Sequence, residues 1–176
     1  MDKTEKKRIH AAVKGDSGAF AALYAAYAEQ LYRFALCYMR NPADAEDAVQ
    51  DAVLQAFRNV SSLRNEDSFK SWLFKILANV CKKKLMQNKF EYADETVQDD
   101  PDLCNQESPA FDNADRISVR DAVASLPPDD RQIVLLSVVA GYSSAEIAAM
   151  LNMNPATVRS VKSRSLARLR TMLIEE

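Results

Sequence analysis

Residues 141–173, GYSSAEIAAMLNMNPATVRSVKSRSLARLRTML, contain two helix starts and one helix stop in close succession. Ser143 followed by Glu146 forms a capping box: the hydroxyl accepts from the Glu146 N–H, and the carboxylate reaches back to the Ser143 N–H. A helix over 144–151 follows. Asn152 then stands where left-handed backbone closes a helix, a conformation asparagine tolerates. Asn154-Pro155 starts the next one, with Asn154 as cap and proline at the first helical position, where its missing N–H costs nothing. The second helix spans 155–174. Two short helices joined by such a turn make a helix-turn-helix. The second helix exposes Arg159, Lys162 and Ser163, while Val158, Val161 and Leu169 turn inward. Its opening, Pro155, Ala156 and Thr157, is small enough for close approach and leaves donors for phosphates and base edges. A helical hairpin with a solvated basic face carries the same local signals.

Outward from this motif the chain reads as helix throughout. Towards the N-terminus, helices are expected over 115–125 and 128–140. Further back, Phe20, Leu23, Tyr24, Tyr27, Leu31, Phe34, Ala35 and Tyr38 fall at steps of three and four, one stripe of a helix over 17–40. Asn41-Pro42 ends it and caps another, to about Asn59, with Ala45, Val49, Ala52, Val53, Ala56 and Val60 facing inward. A third runs from Asp67 or Ser68 to about Asn88 on a stripe of Phe69, Trp72, Leu73, Ile76, Leu77 and Val80. No segment shows sustained period-two alternation, so the fold class is all-α.

The net charge of −2 conceals a division of the 176 residues. Residues 1–90 carry +5, residues 91–115 carry −9 with no basic residue, and residues 116–176 carry +2. Like-charge runs resist compaction. The acidic block is too long for a plain loop in a compact domain and reads as a flexible linker. Two small helical domains, 1–90 and 116–176, are therefore expected around it. Three Cys without C-x-x-C spacing exclude a disulfide framework and a Cys-based zinc site, and one His removes most His-based metal and catalytic sets. The longest apolar stretch, near Ile133–Ala140, is far short of a membrane span. The N-terminus lacks a signal core. A soluble, cytoplasmic protein is expected.

The N-terminal block presents two opposite surfaces. Asp44, Asp47 and Asp51 lie on one helix face, flanked by Glu46 and Gln50; a solvated face is the commonest meaning of that spacing. The next helix is basic, with Lys70, Lys75, Lys82, Lys83, Lys84 and Lys89, and Phe69, Trp72 and Phe74 interleaved. Lysines track phosphates and aromatics stack on unpaired bases; the rings also serve as core. The loop over 60–68, VSSLRNEDS, which precedes this helix and contains Ser61, Ser62, Leu63, Arg64 and Asn65, is polar enough to be a binding loop.

With these residues in view, the chain resembles a bacterial RNA polymerase sigma factor of the extracytoplasmic-function (ECF) group. The matching stretches are DAEDAVQDAVLQAF (44–57), FKSWLFKILANVCKKKL (69–85), LPPDDRQIVLL (126–136) and residues 141–173, in order on both sides of the linker. The resemblance implies that the first domain binds a coiled coil of the polymerase β′ subunit and melts the −10 promoter element. It implies that the second binds the β flap and the −35 element. By position, Asp44, Glu46, Asp47, Gln50 and Asp51 would face the β′ coiled coil. Ser61 to Asn65 would take a flipped −10 base, and Trp72, Lys75, Asn79, Lys82 and Lys83 would contact the −10 strand. Pro155, Ala156, Thr157, Arg159, Ser160, Lys162, Ser163 and Arg164 would read or clamp the −35 duplex. The family usually has Asp where Lys83 stands, and often a basic residue where Val161 stands; both bear on promoter sequence, not on class. An anti-sigma factor is a partner that the family suggests.

No Ser/His/Asp set, phosphate-binding Gly loop or metal-ligand cluster is visible, so no enzyme, catalytic residue, cofactor, metal or small-molecule substrate is expected. His10 reads as a surface residue, Cys37 and Cys81 as packing residues, and Cys104 as an exposed linker thiol. The competing expectation is a stand-alone helix-turn-helix regulator with an N-terminal sensing bundle; the acidic 44–51 face and the basic-aromatic 69–89 helix favour the sigma factor, since a simple regulator needs neither.

Overall fold

The computed structural model describes residues 3–91 and 113–174. Eight α-helices make up the fold of the described residues: α1 Lys3–Val13, α2 Ser17–Met39, α3 Pro42–Asn59, α4 Phe69–Glu91, α5 Asn113–Ala124, α6 Pro128–Val138, α7 Ser144–Leu151 and α8 Pro155–Ile174. Two single 3-10 turns, Val60–Ser62 and Glu66–Ser68, link α3 to α4. No strand occurs among the described residues, in line with the all-α expectation. Most of the acidic segment, with Cys104, lies outside them.

Helix ends follow local chemistry. The Asp16 carboxylate accepts from the Ala19 N–H and starts α2. Arg40, at φ 68°, turns the chain left-handed and closes it. The Asn41 side chain then accepts from the Asp44 N–H at 3.1 Å, and Pro42 opens α3.

The first half packs α2, α3 and α4 around Phe34 and Tyr38. The buried face of α3 is nearly all alanine, with Ala45, Ala48, Ala52 and Ala56 at steps of three and four. These short side chains let α2 and α4 approach closely. From α4, Leu73, Phe74, Leu77, Ala78 and Cys81 fill the space between. Phe74 meets Phe34 edge-on at 5.9 Å. Its side chain is fully buried, so Phe74 is core and cannot stack on a base; the same holds for Phe69. Val53, Ile76 and Val80 are only partly buried at the margins of their stripes.

In the second half, α6 is buried all round from Arg131 to Leu136. Val134 packs with Ala122, Leu126 and Leu169, whereas Ile133, Leu135 and Leu136 join the core of the first half. A helix with two buried sides shows no apolar stripe. In this way α6 is the seam between the halves.

Candidate nucleic-acid and polymerase interface

The helix-turn-helix forms as its caps dictate. The Ser143 N–H donates to Glu146 at 2.8 Å, and the Glu146 N–H donates back to the Ser143 hydroxyl at 3.3 Å. The Ser143 hydroxyl also donates to the Glu146 carboxylate at 2.6 Å, and this bond, with the one from the Ser143 N–H, holds the Glu146 carboxyl below its usual range. Asn152 takes φ 55°, and Asn154 accepts from the Ala156 N–H at 2.8 Å. Ile147, Ala148, Val158 and Val161 lock α7 onto α8. Outside, Pro155, Ala156, Thr157, Arg159, Ser160, Ser163 and Arg164 are exposed and Lys162 is half-buried. Val161 is buried, so a basic side chain there would have to leave the core.

On α3, Glu46, Asp47, Gln50 and Asp51 are exposed and Asp44 is half-buried. In the linking turns, Ser61, Ser62, Arg64 and Asn65 are exposed and Leu63 is half-buried. Part of that loop's polarity is spent locally: the Ser62 hydroxyl donates to the Asn59 carbonyl, and the Asn65 side chain accepts from the Asp67 N–H. The loop is also tied to α1, through Lys6–Asp67 at 2.7 Å and His10–Glu66 at 2.6 Å. On α4, Lys83 and Asn79 are exposed, while Trp72, Lys75 and Lys82 are half-buried. Asn79, Lys82 and Lys83 share a shallow depression with Met86 and Gln87.

Known proteins share this arrangement. The Sigma-70 region 2 family model matches residues 23–91 and the Sigma-70, region 4 model matches residues 116–169. The ECF RNA polymerase sigma factor SigM of Mycobacterium tuberculosis is 34% identical, over 98% of this chain and 86% of its own length. The chain belongs to the ECF sigma factors. SigW of Bacillus subtilis, another member, is 30% identical over 98% of both chains. Among solved structures, the sigma factor RpoE of Bartonella quintana, crystallised with the anti-sigma factor NepR, superposes with TM-score 0.75 at 24% identity. That match covers 88% of this chain and 96% of the other. CnrH, solved with the cytosolic domain of CnrY, superposes with TM-score 0.73 at 22% identity over 98% of both. As an ECF sigma factor, the chain directs promoter-specific transcription initiation with RNA polymerase. No helix among the described residues is long and apolar enough to cross a membrane.

Two features of this sigma factor escape a reading by residue type. The first is contact between its halves over the basic helix. Lys82 pairs with Asp129 at 2.5 Å, and the Gln132 amide reaches the Asn79 oxygen at 3.4 Å. Alongside, the Tyr38 hydroxyl donates to the Pro128 carbonyl, and buried Arg131 donates to the Tyr38 carbonyl, both at 2.9 Å. Arg40 pairs with Asp121 at 2.6 Å. The second is Lys84. It sits on the other side of α4 from Lys82 and bonds both Asp47 and Asp51 of α3. Periodicity could have found it: Leu77, Cys81 and Lys84 follow at steps of four and three, on the buried stripe.

Proposed function

We propose that this sigma factor uses three separate surfaces. Asp44, Glu46, Asp47, Gln50 and Asp51 on α3 bind the β′ coiled coil of core polymerase. The loop Ser61–Asn65, with Trp72, Lys75, Asn79, Lys82 and Lys83, takes the melted −10 strand. The exposed face of α8 from Pro155 to Arg164 reads the −35 duplex, with the 116–176 half also meeting the β flap. The observation that carries this reading is the segregation of charge between adjacent helices: exposed carboxylates line α3, while Lys75, Lys82 and Lys83 stand on α4 beside partly exposed Trp72. A basic row tracks a phosphate backbone; an acidic row repels one and suits a basic protein surface. The protein works as a binding subunit, without a catalytic group of its own. By analogy with RpoE, which was crystallised with NepR, an anti-sigma factor is proposed as a further partner.

The test is core-dependent promoter binding. Duplex promoter DNA should be retarded by this chain with core polymerase and far less by the chain alone. Asp47→Asn with Asp51→Asn should weaken core association by about 1.5 kcal/mol or more, as expected for close interface charges. Wild-type assembly by that variant would remove the polymerase role from α3. Promoter binding by the chain alone, unaffected by core, would favour a stand-alone regulator.

A further inference from the structure

Lys84 belongs by sequence to the run Lys82, Lys83 and Lys84, yet its surroundings set it apart. Lys83 is exposed and Lys82 meets Asp129 of α6. The Lys84 stem instead runs between α3 and α4, leaving 21% of its side chain exposed. Its ammonium bonds Oδ2 of Asp47 and, at 2.7 Å, Oδ2 of Asp51. Burial alone would lower its pKa, but the two carboxylates outweigh that and hold it above the usual lysine value. The two aspartates remain 62% and 51% exposed. They are therefore anchored from beneath and open from above. Lying one turn apart on the same helix, they would repel each other without a cation between them.

We propose that Lys84 is a positioning residue for polymerase association, a cation seated under Asp47 and Asp51 that fixes the geometry in which they meet a basic partner. This rests on the reading that the α3 face binds core polymerase. It separates two physical effects with opposite signs. Removing Lys84 makes the face more acidic, and long-range attraction to a basic surface would then increase. It also frees two carboxylates to adopt several rotamers, so that binding must order them. Because both contacts are short and only a fifth of the Lys84 side chain is exposed, the second effect dominates. Lys84 is also turned away from the nucleic-acid face, so its loss leaves promoter contacts intact once holoenzyme has formed.

The experiment uses the full-length chain with core polymerase. Lys84→Met, Lys84→Arg, Asp47→Asn/Asp51→Asn and the triple variant Asp47→Asn/Asp51→Asn/Lys84→Met are titrated against core at low and moderate salt. Thermal unfolding of each is followed in parallel. The expected result is about tenfold weaker core binding by Lys84→Met, in keeping with loss of charge-assisted hydrogen bonds. Lys84→Arg should recover most of it. In the Asn background Lys84→Met should cost nothing further, a non-additivity that loss of packing alone would not produce. Unchanged or tighter core binding by Lys84→Met overturns the proposal, as does an equal loss in both backgrounds. A defect confined to promoter binding by preassembled holoenzyme makes Lys84 a DNA contact instead. If the Asp47→Asn/Asp51→Asn variant binds core like wild type, the α3 reading itself fails and the positioning role falls with it.

Discussion

Phe74 and Lys75 are neighbours in sequence with opposite fates: the ring is fully buried against Phe34 and Tyr142, while the lysine reaches the surface of α4. Phe74→Ala should destabilise folding by about 3–5 kcal/mol, read from denaturant unfolding. Lys75→Ala should change stability by less than about 0.5 kcal/mol and reduce capture of single-stranded −10 DNA by holoenzyme. Cys81 makes a similar point. Burial pushes its thiol up to about 12, so at neutral pH it is protonated and enclosed. Alkylation of Cys81 near pH 7 should proceed at the rate of unfolding, followed by mass spectrometry with and without denaturant; prompt labelling of the native protein would contradict this burial. Residue type placed such side chains less well than spacing does. Three consecutive lysines look alike as a basic run, but helical rotation sends Lys82, Lys83 and Lys84 to three different environments. By spacing alone, the aspartates at 47 and 51 read as part of a solvated face. With Lys84 beneath them, reversal to lysine would gather three cations at one point, so the neutral asparagine variants are the cleaner probe.

At the scale of elements, cap chemistry was the most legible signal. Ser143–Glu146, Asn152 and Asn154-Pro155 set the ends of α7 and α8 because each bond is local and needs no distant partner. Ser143→Ala should cost about 1 kcal/mol in stability, measured by thermal unfolding. The sign of its pH dependence follows from Glu146, whose carboxyl is held below its unfolded value. The part of the stabilisation that comes from the ionised carboxylate is present above the ordinary carboxylate range and is lost as pH falls through the lower folded value. The gap between wild type and Ser143→Ala should therefore narrow in acid, leaving the hydroxyl's bond to the Glu146 N–H. On α8, Arg159→Ala should weaken −35 binding by about 1–3 kcal/mol and relax selection at one base, if it meets a base edge. Lys162→Ala should weaken all sequences alike and lower the salt slope. Selection experiments with the two variants separate these outcomes, and unchanged sequence preference in Arg159→Ala would remove it from base reading. The seam helix α6 was legible only as a helix. Its residues from Arg131 to Leu136 are all buried, and nothing in a stripe-free pattern says that one side meets α8 while another meets α2 and α4. That partnership depends on residues far away in the chain.

At the scale of the molecule, the two halves touch while their proposed targets lie far apart. Promoter elements two helical turns apart are separated by about 70 Å. On the proposed assignment of the two DNA surfaces, contacts such as Lys82–Asp129 break before both elements are engaged. The 21 residues between Glu91 and Asn113 reach at most about 70 Å, which together with the width of the two halves permits that separation. In the closed arrangement the Asp129 carboxylate occupies Lys82 as a phosphate would. Asp129→Ala should raise the affinity of the free protein for single-stranded −10 DNA by up to about fivefold, the most that an exposed ion pair withholds. It should leave holoenzyme unaffected; fluorescence anisotropy reads both. Tyr38 and the segment after α5 add a further consequence. The Tyr38 hydroxyl donates to the Pro128 carbonyl, and Arg131 returns a donor to the Tyr38 carbonyl. Each half thus holds the complement of the other. A hybrid protein made by joining residues 1–90 to the promoter-reading half of a distant relative would inherit two sound folds and a working tether, but not this reciprocity. Unless the donor also supplied the arginine, the hybrid would hold its halves together less firmly, with the Tyr38 carbonyl left without that donor. Mixing parts between such proteins would then alter readiness before it altered which promoter is read.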